Sequence, residues 1–289
     1  MQKKTEGYLW LAVTILFFST YEIVGSTLAS GMHPLFVSAF RFTLGGLVLL
    51  PFAKLPKASS DWWGLFGLGI LNVAIAMGLL QLSLSYAQAS VAAILFSTNP
   101  LFVGIVAAMA GDKLAPRDIL GLCIGFVGVL LIAGPASLEG WVGPILALAS
   151  AAVFGLYSYL GRGYAQRLGS ATANSISFIL GGALVFLLLP LFGAPMWQIT
   201  TANLLPMLYL GIFVTGLAYF AYLRGLSLLT PAAGSATFFA KPALATILAW
   251  AFLGEPLSWW KWAGIAVIIL GMLQTMGGKK AKFQSRKSA

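Results

Sequence analysis

Residues 228–257 read LLTPAAGSATFFAKPALATILAWAFLGEPL. The stretch is long and apolar enough to span a bilayer, yet Lys241 stands near its middle and Pro242 follows directly. A proline there removes a backbone donor and frees the carbonyl of Phe238. A charge at that depth is costly and faces protein or a watery cavity, which makes Lys241 a candidate functional residue.

The same stretch has an earlier copy, residues 86–114, YAQASVAAILFSTNPLFVGIVAAMAGDKL. An offset of 142 lays Phe96 on Phe238, Asn99 on Lys241 and Pro100 on Pro242. One extra residue changes the offset to 143, and Asp112, Gly121 and Gly128 then meet Glu255, Gly264 and Gly271. Upstream, an offset of 136 pairs Gly7, Phe18, Tyr21 and Gly25 with Gly143, Phe154, Tyr157 and Gly161. It also pairs Phe42 and Gly45-Gly46 with Phe178 and Gly181-Gly182. The chain is thus an internal duplication with halves at 7–137 and 143–277, and a basic tail at 278–289.

Composition sets the class. Of 289 residues, 60% are hydrophobic and 8% charged, and the mean hydropathy is +0.93. An ordinary soluble domain is excluded, and the apolar surface must meet lipid. The single cysteine, Cys123, excludes a disulfide framework or a cysteine metal site, and no metal or cofactor is expected. The net charge of +10 does not imply nucleic acid, because the cations sit in short loops and the tail. Thr27-Leu28-Ala29 resembles a weak signal-peptide cleavage site, but the region 7–46 recurs in the second half, so the first apolar run is expected to be a retained helix.

Ten apolar segments are expected to cross the membrane: 8–28, 34–52, 63–85, 88–110, 119–136, 141–161, 171–192, 204–226, 231–253 and 260–277. With the N-terminus inside, cytoplasmic segments hold 14 of the 17 lysines and arginines and the outside holds only Lys261. Both termini are therefore expected in the cytoplasm. Five crossings per half invert the second half relative to the first, the plan of secondary transporters with a mid-membrane site where the halves meet. The fold class expected is all-α and integral to the membrane, one transporter domain over 1–289.

At this point the residues resemble the EamA branch of the drug/metabolite transporter superfamily. The resemblance lies in Phe18-Ser19 and Phe154-Gly155, the mid-helix prolines after small residues, and Gly111-Asp112-Lys113-Leu114 or Gly254-Glu255-Pro256-Leu257 before a glycine-spaced last helix. Relatives often carry Gly-Glu in both halves; Gly111-Asp112 departs from this but keeps the charge. Within the branch the chain looks most like the YddG-type bacterial exporters of aromatic and other amino acids. That resemblance implies a multi-pass exporter of the bacterial inner membrane, with amino acids and the lipid bilayer as its partners.

The candidate substrate contacts are Lys241, Asn99, Pro100, Pro242, Phe96, Phe238, Phe239, Ser97 and Tyr157. Lys241 would hold a substrate carboxylate; a structural ion pair or a snorkelling side chain is the competing reading. The two prolines would open their helices to present carbonyls to a substrate ammonium, or merely kink them. Aromatic walls would accept varied apolar side chains, although most aromatics in such a chain only pack or face lipid. Glu22 and Arg41 lie evenly about Gly31-Met32, each roughly 10 Å below the outer surface. An ion pair between them is expected, and a proton-carrying Glu22 is the alternative. Asn174, Ser177 and Gly181 read as a helix-packing face. The glycines of the two last helices read as their contact within a monomer, with homodimerisation as the alternative.

The function expected is export of amino acids and related metabolites by alternating access. Export of lipophilic cations would need an unpaired carboxylate at the centre, and a sugar-phosphate or nucleotide carrier would need more than one cation there. An enzyme is disfavoured by the single histidine, His33, and by short loops; a channel fits the mid-span prolines less well.

Overall fold

The computed structural model describes residues 2–21, 24, 28, 31–83, 86–87, 89–112, 114–133, 140–253 and 258–276. Every regular element among them is helical. In the first half these are α1 (Gln2–Ser19), α2 (Pro34–Leu49), α3 (Ser59–Ser83), α4 (Ala89–Phe96), α5 (Asn99–Met109) and α6 (Pro116–Ala133). The second half holds α7 (Val142–Leu168), α8 (Ser170–Leu188), α9 (Thr201–Leu228), α10 (Pro231–Ala236), α11 (Ala240–Leu253) and α12 (Trp259–Met276). Six helical stretches among the described residues are long and apolar enough to cross a membrane. Large apolar side chains such as Leu9, Ile105, Met109, Leu187 and Leu273 face outward, as a lipid-facing surface requires.

Local chemistry places the breaks. His33 caps α2, its Nδ1 accepting from the Leu35 amide at 3.3 Å, with Pro34 in the first turn. Thr230 caps α10 in the same way, accepting from Ala233 at 3.3 Å before Pro231. Gly169, at φ 90°, turns the chain from α7 into α8.

The expected single spans over 88–110 and 231–253 are each interrupted. α4 and α5 part at Ser97-Thr98, and α10 and α11 are joined by a 3-10 turn at Thr237–Phe239. The two breaks fall at matching places in the two halves, just ahead of Pro100 and Pro242. α3 and α9 also share a defect, a π-helical stretch at Ile70–Ala76 in one and Leu210–Leu217 in the other. Such wide turns loosen the backbone hydrogen bonding and leave carbonyls for other donors. The Ser150 hydroxyl donates to the carbonyl of Ala76 at 2.6 Å, and the Thr14 hydroxyl lies 3.2 Å from that of Ala218.

Those two contacts are one contact made twice, since Thr14 matches Ser150 and Ala76 matches Ala218. The glycines behave likewise. A Cβ on Gly45 would lie 2.9 Å from the Gly211 carbonyl, and one on Gly181 would lie 2.7 Å from that of Gly69. Gly7 abuts Leu228 and Leu229, and Gly143 abuts Tyr86 and Ala87. Gly121 and Gly128 of α6 meet Gly271 and Gly264 of α12 within the one chain. Reciprocal contacts of this kind are what a two-fold relation between the halves produces. Asn174 likewise packs, donating to the Tyr219 carbonyl at 2.9 Å and accepting from the Tyr157 hydroxyl at 3.1 Å.

Polar contacts gather at one end of the bundle. Glu6 pairs with Arg224 at 2.8 Å and Asp61 with Arg167 at 2.6 Å. Arg162 closes the C-terminus of α9, donating to the carbonyls of Leu226 and Leu229. The Arg224 guanidinium holds the Glu6 carboxyl below the usual carboxylate range. Its contribution is therefore present at neutral pH and lost as the pH falls through that lowered value, and the partial exposure of both side chains keeps it small.

The glycine contacts yield a direct expectation. A Cβ on Gly69 would sit 2.3 Å from the Ser177 carbonyl, whereas one on Gly163 meets nothing within 4 Å. Gly69→Val and Gly181→Val should each lower stability by about 1–3 kcal/mol or more, and Gly163→Ala should be neutral or slightly stabilising. Thermal unfolding of the purified variants in detergent checks this, and equal melting temperatures throughout would refute the close approach.

Candidate functional site

Where the halves meet, a small cavity of about 30 Å³, the volume open to the centre of a water molecule, lies among α1, α2, α3, α4, α7, α9 and the breaks before the paired prolines. One water needs about 10–15 Å³ on this measure, so the cavity holds a water or two and no larger molecule.

Its walls come in matched pairs. Phe18 and Phe154, Phe96 and Phe238, and Met77 and Tyr219 line it, each pair related by the repeat offsets. The rings close on one another edge to face or tilted. Their centroids are 4.9 Å apart for Phe18–Tyr219, 5.1 Å for Phe96–Phe154 and 6.1 Å for Phe96–Phe238. Phe96 and Phe238 reach the cavity because each stands at the helix break ahead of its proline.

Two cations also line it, Arg41 from α2 and Lys241 from α11. They are 2% and 6% exposed. The Arg41 guanidinium lies 4.8 Å from the Tyr21 ring centroid and 4.6 Å from that of Phe42. The Lys241 Nζ is 5.9 Å from the Phe96 ring, and the Lys241 carbonyl accepts from the Ser19 hydroxyl at 3.3 Å. Tyr21 is itself held by Gln81, which donates to its hydroxyl. Each cation breaks the two-fold relation, since Arg41 is matched by Ser177 and Lys241 by Asn99.

Of the residues expected from sequence, Lys241, Phe96, Phe238 and Arg41 line the cavity. Phe239 does not. It belongs to a second buried cluster and packs on Gly125 of α6, because successive residues of the 3-10 turn point to different sides. Tyr157 is fully buried behind Phe154, its hydroxyl committed to Asn174. The Ser97 hydroxyl bonds back to the Ala93 carbonyl at 2.7 Å. The Phe96 carbonyl is not left open for a substrate ammonium: the Asn99 side-chain amide donates to it at 3.1 Å. Pro100 and Pro242 are buried in the first turns of α5 and α11 and shape the breaks rather than the wall. Glu22 lies outside the described residues, and so does its expected pairing with Arg41. Phe18, Tyr21, Met77, Leu80, Phe154 and Val214 also line the cavity and are not among the candidate contacts read from sequence. Repeat matching from Phe18 finds Phe154 directly.

A larger recess of about 380 Å³ opens at the bundle end that carries the ion pairs, lined by Asp112, Tyr159, Arg162 and Arg167. Its arginines are already bonded, Arg162 to helix-end carbonyls and Arg167 to Asp61. The two-cation cavity, lined by buried side chains where the halves meet, is the candidate site.

A helical bundle with an apolar exterior and, between repeated halves, an aromatic-walled cavity that carries two cations is the arrangement of a multi-pass membrane transporter. The EamA-like transporter family matches residues 5–134 and again 141–277, and the chain belongs to that family. A Clostridium kluyveri protein described as an uncharacterized transporter is 33% identical, over 98% of this chain and 97% of its own length. The uncharacterized inner membrane transporter YedA of Escherichia coli is 24% identical, over 93% of this chain and 89% of its own. A crystal structure that shares 22% identity superposes with a TM-score of 0.78, covering 94% of this chain and 97% of that one, a likeness of fold.

The different settings of the two adjacent phenylalanines separate their roles. Phe238→Leu should change transport rate or substrate preference with little loss of stability. Phe239→Leu should lower thermal stability by about 1 kcal/mol and leave preference unchanged. Uptake by reconstituted variants, read beside their melting temperatures, checks the pair; a preference change in Phe239→Leu alone would reverse the assignment.

Proposed function

We propose that this transporter exports amino acids, aromatic and other neutral ones with broad selectivity, and related metabolites across the bacterial inner membrane. In this reading ten helices in two inverted five-helix halves, with both termini in the cytoplasm, alternate access to the central cavity. The observation that carries it is the central cavity with paired aromatic walls and Lys241 at its edge. A carboxylate entering the site sheds water, and a facing ammonium offsets that cost. Aromatic walls take apolar side chains without strong selection among them, since apolar pockets discriminate weakly between close homologues. Export of lipophilic cations is disfavoured by the same site, whose described lining contains two cations and no carboxylate.

Proteoliposome uptake with a labelled amino-acid panel, with and without a proton gradient, tests the function. Lys241→Met should reduce transport of every amino acid carried by more than about tenfold while the protein still folds, and Lys241→Arg should rescue only in part. Transport at the unmutated rate by a folded Lys241→Met protein would make the lysine structural.

The topology is checked separately with single cysteines in a Cys123→Ala background. An impermeant thiol reagent should label positions within 193–203 from outside intact cells and leave position 165 unlabelled. Labelling at 165 from outside would invert the arrangement.

A further inference from the structure

We infer that Arg41 is an oxyanion-binding residue of the central cavity, so that organic acids with an aromatic body are carried in preference to the corresponding zwitterionic amino acids. The location of the site rests on the transporter reading above; the charge preference does not.

Arg41 is 2% exposed, and its Nε is buried with no hydrogen-bond acceptor. Among the described residues no carboxylate lies within ion-pair distance of it. Tyr21 and Phe42 hold the guanidinium at 4.8 and 4.6 Å by their rings. Ring contact of this kind engages the delocalised cation and leaves in-plane N–H groups for an acceptor, the edge with which arginine grips a carboxylate by two parallel bonds. A buried donor without an acceptor is rare in native proteins and calls for an explanation; a ligand arriving at the cavity that Arg41 lines supplies one.

Among the described residues no carboxylate pairs with Arg41, and Lys241, which has further contacts of its own, stands at the same cavity. The cavity is small enough that a group entering it comes within reach of both cations. An acid brings a single negative charge to that field. A zwitterion also brings an ammonium, which the same cations repel, and the repulsion is stronger in a weakly polarisable interior than in water. The Phe96 carbonyl, a natural acceptor for such an ammonium, is already bonded to Asn99. Helix packing does not demand either cation, because Ser177 and Asn99 fill the matching places in the opposite halves.

The test is uptake by the purified full-length chain in proteoliposomes of three compounds sharing one body: phenylpyruvate, phenylalanine and phenethylamine. Protein-free vesicles supply the background. Phenylpyruvate should be carried roughly tenfold faster than phenylalanine, and phenethylamine not at all. Arg41→Gln should remove that preference, and Arg41→Lys should keep most of it. Phenylalanine carried as fast as or faster than phenylpyruvate would overturn the inference and leave amino-acid transport standing. Phenylpyruvate carried without phenylalanine would support it and sink the amino-acid reading. If Arg41→Gln fails to fold, the order of the three compounds on the unmutated protein still decides.

Discussion

Lipid is as apolar as leucine, so helices in a bilayer gain little from the hydrophobic effect when they associate. What holds these helices together is close approach of backbone to backbone across the boundary between the halves. Gly69 meets Gly181, Gly45 meets Gly211, and the glycines of α6 meet those of α12, at distances where a side chain would collide with a carbonyl. Close approach lets dispersion and polar contacts act over long stretches of helix. It also lets side chains of α1 and α7 reach the carbonyls loosened by the π-helical turns of α9 and α3. The central cavity exists because four of these close-packed helices are interrupted, two by π stretches and two ahead of prolines.

Much of this was legible in the sequence, because duplication writes each contact twice. The repeat offsets match Gly45 with Gly181 and Gly121 and Gly128 with Gly264 and Gly271, and the structure packs the latter two pairs crosswise, Gly121 on Gly271 and Gly128 on Gly264. The helix breaks fall where the prolines put them. Less legible was which neighbour of a break faces inward. Phe238 and Phe239 are adjacent and chemically identical, and only the 3-10 geometry of Thr237–Phe239 sends one to the cavity and the other to Gly125. Tyr157 matches Tyr21, but Tyr21 lines the cavity while Tyr157 is committed to Asn174, a residue whose counterpart in the other half is Ser38. Side-chain commitments of this sort are set by tertiary partners, which spacing along one helix does not encode. The two prolines were expected to bare carbonyls, and in the first half the amide of Asn99 covers the one at Phe96.

Three wall pairs of the site obey the repeat and its charges do not. Phe18, Phe96 and Met77 each have a cavity-lining counterpart, whereas Arg41 and Lys241 stand opposite neutral residues. A two-fold wall suits a carrier that presents similar surroundings to its substrate from either side. Doubling the charges as well would put four cations around one small, weakly polarisable space, where like charges repel strongly. In the proposed reading, one cation from each half ties an anionic group of the substrate to both halves at once, and such a group is held best when the halves are together.

The aromatic rings that line the cavity pack on one another and leave room for a water or two. Their edge-to-face and tilted contacts are individually worth about 0.5–1.5 kcal/mol, comparable to what a modest substrate gains by replacing them. Opening therefore need not cross a deep packing minimum. The Arg162 contacts with the Leu226 and Leu229 carbonyls hold the C-terminal end of α9 against α7.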